Sequence, residues 1–261
     1  MITLASSGTG SVERAFLILE FLNSSKRGWN ISDISRRLSI PKSTTHVLVS
    51  TLEQLGYVQR YQYKGSRRYQ VSTKTLGLGK NALSAAPLSE IVLPHLHWLV
   101  QETRLTAHMG ILERNQAVFV QKVDGPGAIK FNTYIGKRSE LHCTGVGKVL
   151  LAFQPDEQIE LLLSTYSFGR FTKKTISSKS AFLSELARVQ QSGYSIDDEE
   201  EELGIRCIAA PILSGSNALA AVSVTGTAAQ LRTDGIHRVI ALTKCAAERI
   251  SAAALTMSCS A

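Results

Sequence analysis

The sequence predicts an α+β protein in two parts: a small basic unit built as a winged helix-turn-helix, and a larger unit of helices around a mostly antiparallel sheet. Three observations predict it. The first 80 residues carry 12 Lys+Arg against 4 Asp+Glu while the remaining 181 carry 17 of each, so the whole net charge of +8 lies in the N-terminal third. Between Asn30 and Val58, two amphipathic helical segments meet at a short corner and lead into an aromatic, β-branched strand. Beyond Leu105 the hydrophobic period changes from helical to alternating, with hairpin-length turns between runs.

Taken in order, Ser11 to Leu22 reads as a helix with Val12, Ala15, Phe16, Leu19 and Leu22 as its apolar stripe and Ser11 as a plausible cap. Trp29 to Ile31 is expected as a short edge strand. Ile34 and Leu38 share one face of the next helix, with Arg36 and Arg37 outside, and Ser39 and Ile40 form the corner. Pro41 stands where a first helical turn tolerates a missing N–H, and Lys42 to Leu55 runs on until Gly56 stops it. Steps of about 100° place Thr44, Leu48, Thr51, Leu52 and Leu55 on the inner side, with Ser43, His46 and Ser50 outside and Lys42 at the edge. A short polar face without carboxylates suits a helix whose first turn enters a major groove. Tyr57 to Tyr61 and Arg68 to Ser72 form a hairpin around Gly65, the wing. The residues expected to meet DNA are Lys42, Ser43, Thr44, Thr45 and His46 on the helix and Arg60, Lys64, Arg67 and Arg68 on the wing.

Thr73 to Ser84 is expected as a connecting helix with Leu76, Leu78 and Leu83 apolar, and Ala85 to Leu88 as the domain boundary. The expected division is therefore 1–72, a linker over 73–87, and 88–261. Ser89 to Thr103 is a helix interrupted by Pro94, and Thr106 to Leu112, Gln116 to Val123 and Ile129 to Ile135 are strands. Gly136 to Leu141 is a polar loop, and Cys143 to Phe153 becomes helical after its glycines. Helices follow near Asp156 to Ser164 and Ser180 to Ser192, then strands at Tyr194 to Asp197, Arg206 to Leu213 and Leu219 to Gly226, and a last helix over Thr233 to Ala254. With no apolar run near 18 residues and no secretory leader pattern at Met1 to Gly10, a cytoplasmic protein without a membrane span is expected. Cys143, Cys207, Cys245 and Cys259 lack metal-type spacing and are expected as free thiols.

In the second unit, Gly145, Val146 and Gly147 precede a helix, so their N–H groups converge with the positive end of the helix dipole behind them. Ser223 and Thr225 are two apart on a strand and face one side, Cys207 starts the neighbouring strand and Asp197 ends another. Glu201 and Glu202 are read as a solvated acidic turn. An enzyme of hydrolase type, using Cys143 or Cys207 with His142 and the glycine N–H groups as an oxyanion hole, is the alternative, but no third residue orients the base. His142 and Cys143 are adjacent on an extended segment, so one zinc held by both is disfavoured, and a site of Cys207, His142 and Asp197 is a lesser possibility. No metal and no cofactor is expected.

Three stretches in the same order carry a family resemblance: Ile40-Pro41-Lys42-Ser43-Thr44-Thr45-His46, then Leu141-His142-Cys143-Thr144-Gly145-Val146-Gly147-Lys148 with Leu150-Leu151-Ala152, then Gly193 to Glu200 followed by Gly204-Ile205-Arg206-Cys207-Ile208-Ala209. Over nearly its full length the chain resembles the IclR-type transcriptional regulators. The resemblance implies a winged helix-turn-helix, a linker helix and a GAF-like effector domain, dimers or tetramers on palindromic operator DNA, and a small-molecule effector, an organic or aromatic acid. Ligand groups of relatives that bind small carboxylates match Gly145, Val146, Asp197, Cys207, Ser223 and Thr225. Val47 departs from the family, most members of which carry an arginine there.

Overall fold

A computed structural model describes residues 10–25, 27–84, 88–232 and 235–258. It divides into two compact units, Met1–Ala85 and Ala86–Ala261. Residues 85–87 of the boundary expected over Ala85 to Leu88, the first residues of the last expected helix (233 and 234) and Cys259 lie outside the described residues, as does the side chain of Leu83.

The first unit contains α1 (Ser11–Asn23), α2 (Ile31–Leu38), α3 (Lys42–Gln54), β1 (Val58–Tyr63), β2 (Ser66–Val71) and α4 (Lys74–Ser84). Asn30 caps α2 by accepting the Asp33 N–H at 2.8 Å. Ser39 closes the helix in the left-handed region at φ 54°, and the Ser35 hydroxyl donates to the Ile40 carbonyl at 2.7 Å, which holds the corner. The core is Ile18, Leu22, Ile34, Ile40, Val49, Leu52, Val58 and Tyr69.

The first unit departs from the sequence expectations on α1, on α3 and at Trp29. On α1 the buried stripe runs through Ile18 and Leu22, and Val12 and Phe16 are exposed at 69% and 56%. Two apolar stripes share that helix, and only one fits against α3. On α3 the buried positions are Thr45, Val49 and Leu52, so the inner face is turned by about one residue from the expected one and Thr51 and Leu55 are exposed. Trp29 makes one bridge, to Tyr69, and Ile31 already belongs to α2, so no edge strand forms.

The second unit contains α5 (Leu88–Thr103), β3 (Thr106–Glu113), β4 (Gln116–Val123), β5 (Arg138–Ser139), α6 (Gly145–Ala152), α7 (Asp156–Ser164), α8 (Lys179–Ser192), β6 (Ser195–Asp198), β7 (Ile205–Ser214), β8 (Asn217–Thr227) and α9 (Ile236–Ser258). The strands form one antiparallel sheet in the order β5-β4-β3-β8-β7-β6. Alternation along each strand divides its side chains between two layers. Ala107, Met109, Ile208, Ala210, Val222 and Val224 pack in one core with Leu96 and Leu99 of α5 and Ala246 and Ile250 of α9. Ala117, Phe119, Ala209 and Ala221 pack in the other with α6, α7 and α8. Gly110 makes the second layer close: a Cβ there would stand 2.6 Å from Val146 Cγ1.

The expected strand Ile129 to Ile135 is absent. Gly125, Pro126 and Gly127 precede it, and its polar groups bind side chains of the sheet instead of a neighbouring strand. Lys122 Nζ donates to the Thr133 carbonyl at 2.6 Å and the Phe131 carbonyl at 3.4 Å, and His108 Nε2 lies 2.8 Å from Thr133 Oγ1. The segment is therefore tied across the sheet as a strap.

Candidate functional site

The surface expected to meet DNA begins at the corner of α2 and α3. Pro41 precedes α3, and the N–H groups of Lys42, Ser43 and Thr44 form its open first turn. Lys42, Ser43, His46 and Val47 are exposed, Thr44 is half-buried, and together they make a short polar surface. Thr45 does not belong to it: its side chain is fully buried and its hydroxyl donates to the Pro41 carbonyl at 3.1 Å, so it locks the corner from inside.

On the wing, Lys64 and Arg67 are exposed near the tip, where Lys64 adopts φ 48°. Arg60 is exposed and paired with Glu53 at 3.3 Å, which offsets part of its charge. Arg68 points the other way. Its guanidinium donates to the Gly28 and Arg27 carbonyls at 3.0 and 3.4 Å, so it anchors the turn before Trp29. Lys64 and Arg67 are thus the wing cations open to a phosphate.

The second unit holds a cavity of about 260 Å³ between the sheet and the start of α6. Cross-strand pairing builds its floor. Asp197 pairs with Cys207, Cys207 with Thr225, and Thr225 with Thr106, while Ser223 pairs with His108. Directly opposed residues share a face, so polar side chains from four strands collect on the α6 side. Gly145, Val146, Asp197, Cys207, Ser223 and Thr225, separated by up to 80 residues in sequence, all line this cavity.

Thr144 caps α6, its Oγ1 accepting the Gly147 N–H at 3.1 Å while donating to the Glu140 carbonyl at 2.6 Å. Gly147 has to be glycine, because a Cβ would stand 2.5 Å from Leu141 Cα and 2.7 Å from its carbonyl oxygen. Among the described residues no group accepts the N–H of Gly145 or Val146. Both residues line the cavity, at the positive end of the α6 dipole. The Ser195 hydroxyl donates to the Gly145 carbonyl at 2.7 Å and fixes the approach of α6 to β6.

Asp197 is 1% exposed and accepts the Glu200 N–H at 2.8 Å. Burial pushes its carboxyl up to about 7, the Glu200 N–H opposing and the Glu200 carboxylate adding to the shift. The Cys207 sulfur lies 3.2 Å from Thr225 Oγ1, and burial together with the Asp197 carboxylate pushes its thiol well up. Behind α6, the fully buried Lys148 ammonium donates to the Ile196 carbonyl at 2.9 Å and pairs with Glu200 and Glu185 at 2.5 and 3.3 Å. Removing one member of such a buried group leaves a charge uncompensated, so it holds β6, α6 and α8 in one arrangement.

Several lining residues were not anticipated: Phe119, Phe131, Thr133, Lys137, Glu201 and Glu202 among them. The two glutamates are at the cavity instead of only in solvent, and Lys137 reaches Glu201 at 3.8 Å. Phe119 was within reach of strand alternation. Phe131 and Thr133 come from the strap, whose path depends on Lys122 and His108. His108 is wholly buried, and burial, followed by the nearby Lys122 ammonium, holds its imidazole down near 3.

The groups required by a hydrolase are engaged elsewhere. His142 is buried in an aromatic cage of Tyr166, Phe168, Phe171 and Phe182, with Nδ1 2.9 Å from the Tyr166 hydroxyl and Nε2 2.7 Å from the Gly169 carbonyl. Cys143 is wholly buried, and burial followed by the Glu201 carboxylate pushes its thiol far above its ordinary value. A neutral thiol beside a histidine with both nitrogens occupied makes no nucleophile. Among the described residues no group of His, Cys, Asp and Glu could hold a metal ion, which removes the Cys207, His142 and Asp197 site, and no helix is long and apolar enough to cross a membrane.

Comparison with known proteins agrees with this division of the chain. Residues 11–61 match the IclR helix-turn-helix domain, and residues 80–252 match the C-terminal domain of bacterial IclR transcriptional regulators. The transcriptional regulator XynR of Escherichia coli K12 is 34% identical over 216 residues, 82% of this chain and 85% of that protein. The Thermotoga maritima IclR crystal structure superposes with a TM-score of 0.75 at 28% identity, covering 92% of this chain and 97% of that one. A double mutant of the PobR inducer-binding domain from Acinetobacter, in complex with 3-hydroxybenzoic acid, covers 62% of this chain and 96% of its own, with a TM-score of 0.58 and 27% identity. The charge split, the helix-turn-helix with its wing, and the sheet domain with its glycine-led helix therefore have one explanation: the chain belongs to the IclR family of bacterial transcriptional regulators, which are DNA-binding proteins and not enzymes.

Proposed function

We propose that this protein binds palindromic operator DNA in the cytoplasm as a dimer or tetramer, and that a small organic or aromatic monocarboxylic acid in the cavity of its second unit sets its affinity for the operator. DNA is met by Lys42, Ser43, Thr44 and His46 from α3, which approach base edges and adjacent phosphates, and by Lys64 and Arg67 from the wing. Self-association is supported by the exposed apolar side chains of the first unit, Val12 and Phe16 on α1 and Leu76 and Leu78 on α4.

The observation that carries the effector reading is the convergence of Gly145, Val146, Asp197, Cys207, Ser223 and Thr225 on one cavity. In this reading the acid's carboxylate accepts the N–H groups of Gly145 and Val146, and a hydroxyl or carbonyl elsewhere on it meets Ser223, Thr225 and Asp197. Phe119 and Phe131 flank a space that suits a planar ring. The complex of the PobR domain with 3-hydroxybenzoic acid supports an aromatic acid. A thermal-shift screen of small aliphatic and aromatic acids on the full chain tests this. A ligand that binds only the folded state raises the melting temperature in proportion to the logarithm of its concentration. The expected result is a rise with at least one acid; no rise with any acid up to millimolar concentration contradicts the reading.

A further inference from the structure

Among the described residues lining the cavity, three are carboxylic acids, Asp197, Glu201 and Glu202, and Lys137 is the only lysine or arginine. An acid entering such a space meets repulsion unless a cation answers it. In a space roughly 8 Å across, one unit charge is felt from wall to wall. Lys137 is the residue able to answer, and its position is well defined.

Its backbone is fixed: the Lys137 N–H donates to the Tyr134 carbonyl at 3.0 Å, and its own carbonyl accepts the Phe119 N–H at 3.0 Å. Its side chain is free to choose. The ammonium stands 3.8 Å from Glu201 Oε1, near the outer limit of an ion pair, with the two side chains 23% and 34% exposed. A long, partly solvated pair of this kind contributes little and is readily exchanged. Lys148, by contrast, is held by three acceptors behind α6 and has no such freedom.

Resting on the acid-binding function proposed above, we propose that Lys137 is a specificity-determining residue of the cavity, its ammonium leaving Glu201 to pair with the carboxylate of the bound acid. The exchange makes the cavity selective for acids over their neutral amides, because an amide oxygen can accept from the ammonium but does not supply the negative charge that the ammonium gives up in leaving Glu201. It also spans two segments: Lys137 follows the strap and Glu201 lies in the turn between β6 and β7, so occupation of the cavity releases the link between them.

The test is calorimetric titration of the full-length protein with pyruvate, benzoate, 3-hydroxybenzoate and 4-hydroxybenzoate, each beside its amide. Lys137→Gln should weaken every acid that wild type binds by about tenfold or more, as the loss of one charge-assisted contact does. It should leave the corresponding amide within about twofold. Glu201→Gln frees the ammonium and removes a repelling charge, so the same acids should bind more tightly. Lys137→Arg keeps the charge and should keep the preference for acid over amide, which separates charge from packing. An acid that binds Lys137→Gln as tightly as wild type overturns the inference and leaves the acid-binding function standing; wild type binding none of the acids overturns both.

Discussion

Asp197 shows how one residue can be structural and functional at once. Its carboxyl is tied to the Glu200 N–H, yet burial raises it from an ordinary 3.8 to about 7. Between those two pH values the folded chain holds a proton that the unfolded chain has released. The stability contributed by this group therefore falls as pH rises from about 4 to about 7, and stays at the lower level above. Asp197→Asn keeps an acceptor for Glu200 and removes the titration. The variant is predicted to melt above wild type at about pH 8, with the difference shrinking as pH falls toward about 5. A difference that stays constant over that range in thermal denaturation would show that Asp197 ionises normally.

Among the elements, α3 and the wing carry the DNA prediction. Lys64 and Arg67 face solvent, whereas Arg68 is committed to the Gly28 carbonyl. Replacing Lys64 and Arg67 together by alanine should weaken binding to all DNA sequences and lower the slope of log affinity against log salt by about two. An unchanged slope would remove the wing from the interface. Val47, 61% exposed on the outer face of α3, gives a second measurement: Val47→Arg should change operator preference or raise general affinity, and neither change would mean that this position does not meet DNA. What the sequence made legible was decided locally. The α6 start was readable because the Thr144 hydroxyl caps the helix locally and glycine stands at 145 and 147, and the end of α8 was readable because Gly193 takes φ 74°. Helix phase was less legible. Val12 and Phe16 imitate a core stripe, and Thr45 is buried although threonine is not an obvious core residue, because its hydroxyl finds the Pro41 carbonyl. The strap was misread because Ile129 to Ile135 have strand-like composition, while the bonds that decide its path come from His108 and Lys122, which are opposed on the neighbouring strands β3 and β4 and reach the strap only through the fold.

For the whole molecule, the division of charge matches a division of labour. The first unit holds the surplus positive charge that draws it to a polyanion, and the balanced second unit holds a small, defined cavity. Much of that cavity could be assembled from sequence, since strand alternation and the helix start mark Gly145, Val146, Asp197, Cys207, Ser223 and Thr225. The rest of its lining could not, because Lys137, Glu201 and Phe131 belong to connections whose paths follow from tertiary contacts. If occupation of this cavity governs DNA binding, as proposed, a change at Ser223 must alter the response to the acid and leave the DNA affinity alone. Ser223→Val keeps the size of the side chain and removes its hydroxyl, so a ligand atom bonded to it is left unpaired at a cost of about 1–3 kcal/mol. The measurement is fluorescence anisotropy of a DNA site selected by the protein from a random pool, titrated with the acid that raises the melting temperature of wild type. Wild type and Ser223→Val should bind the DNA equally without acid, and the variant should need roughly tenfold to a hundredfold more acid for the same response. A response of Ser223→Val at the wild-type acid concentration would contradict that proposal and place the controlling site elsewhere.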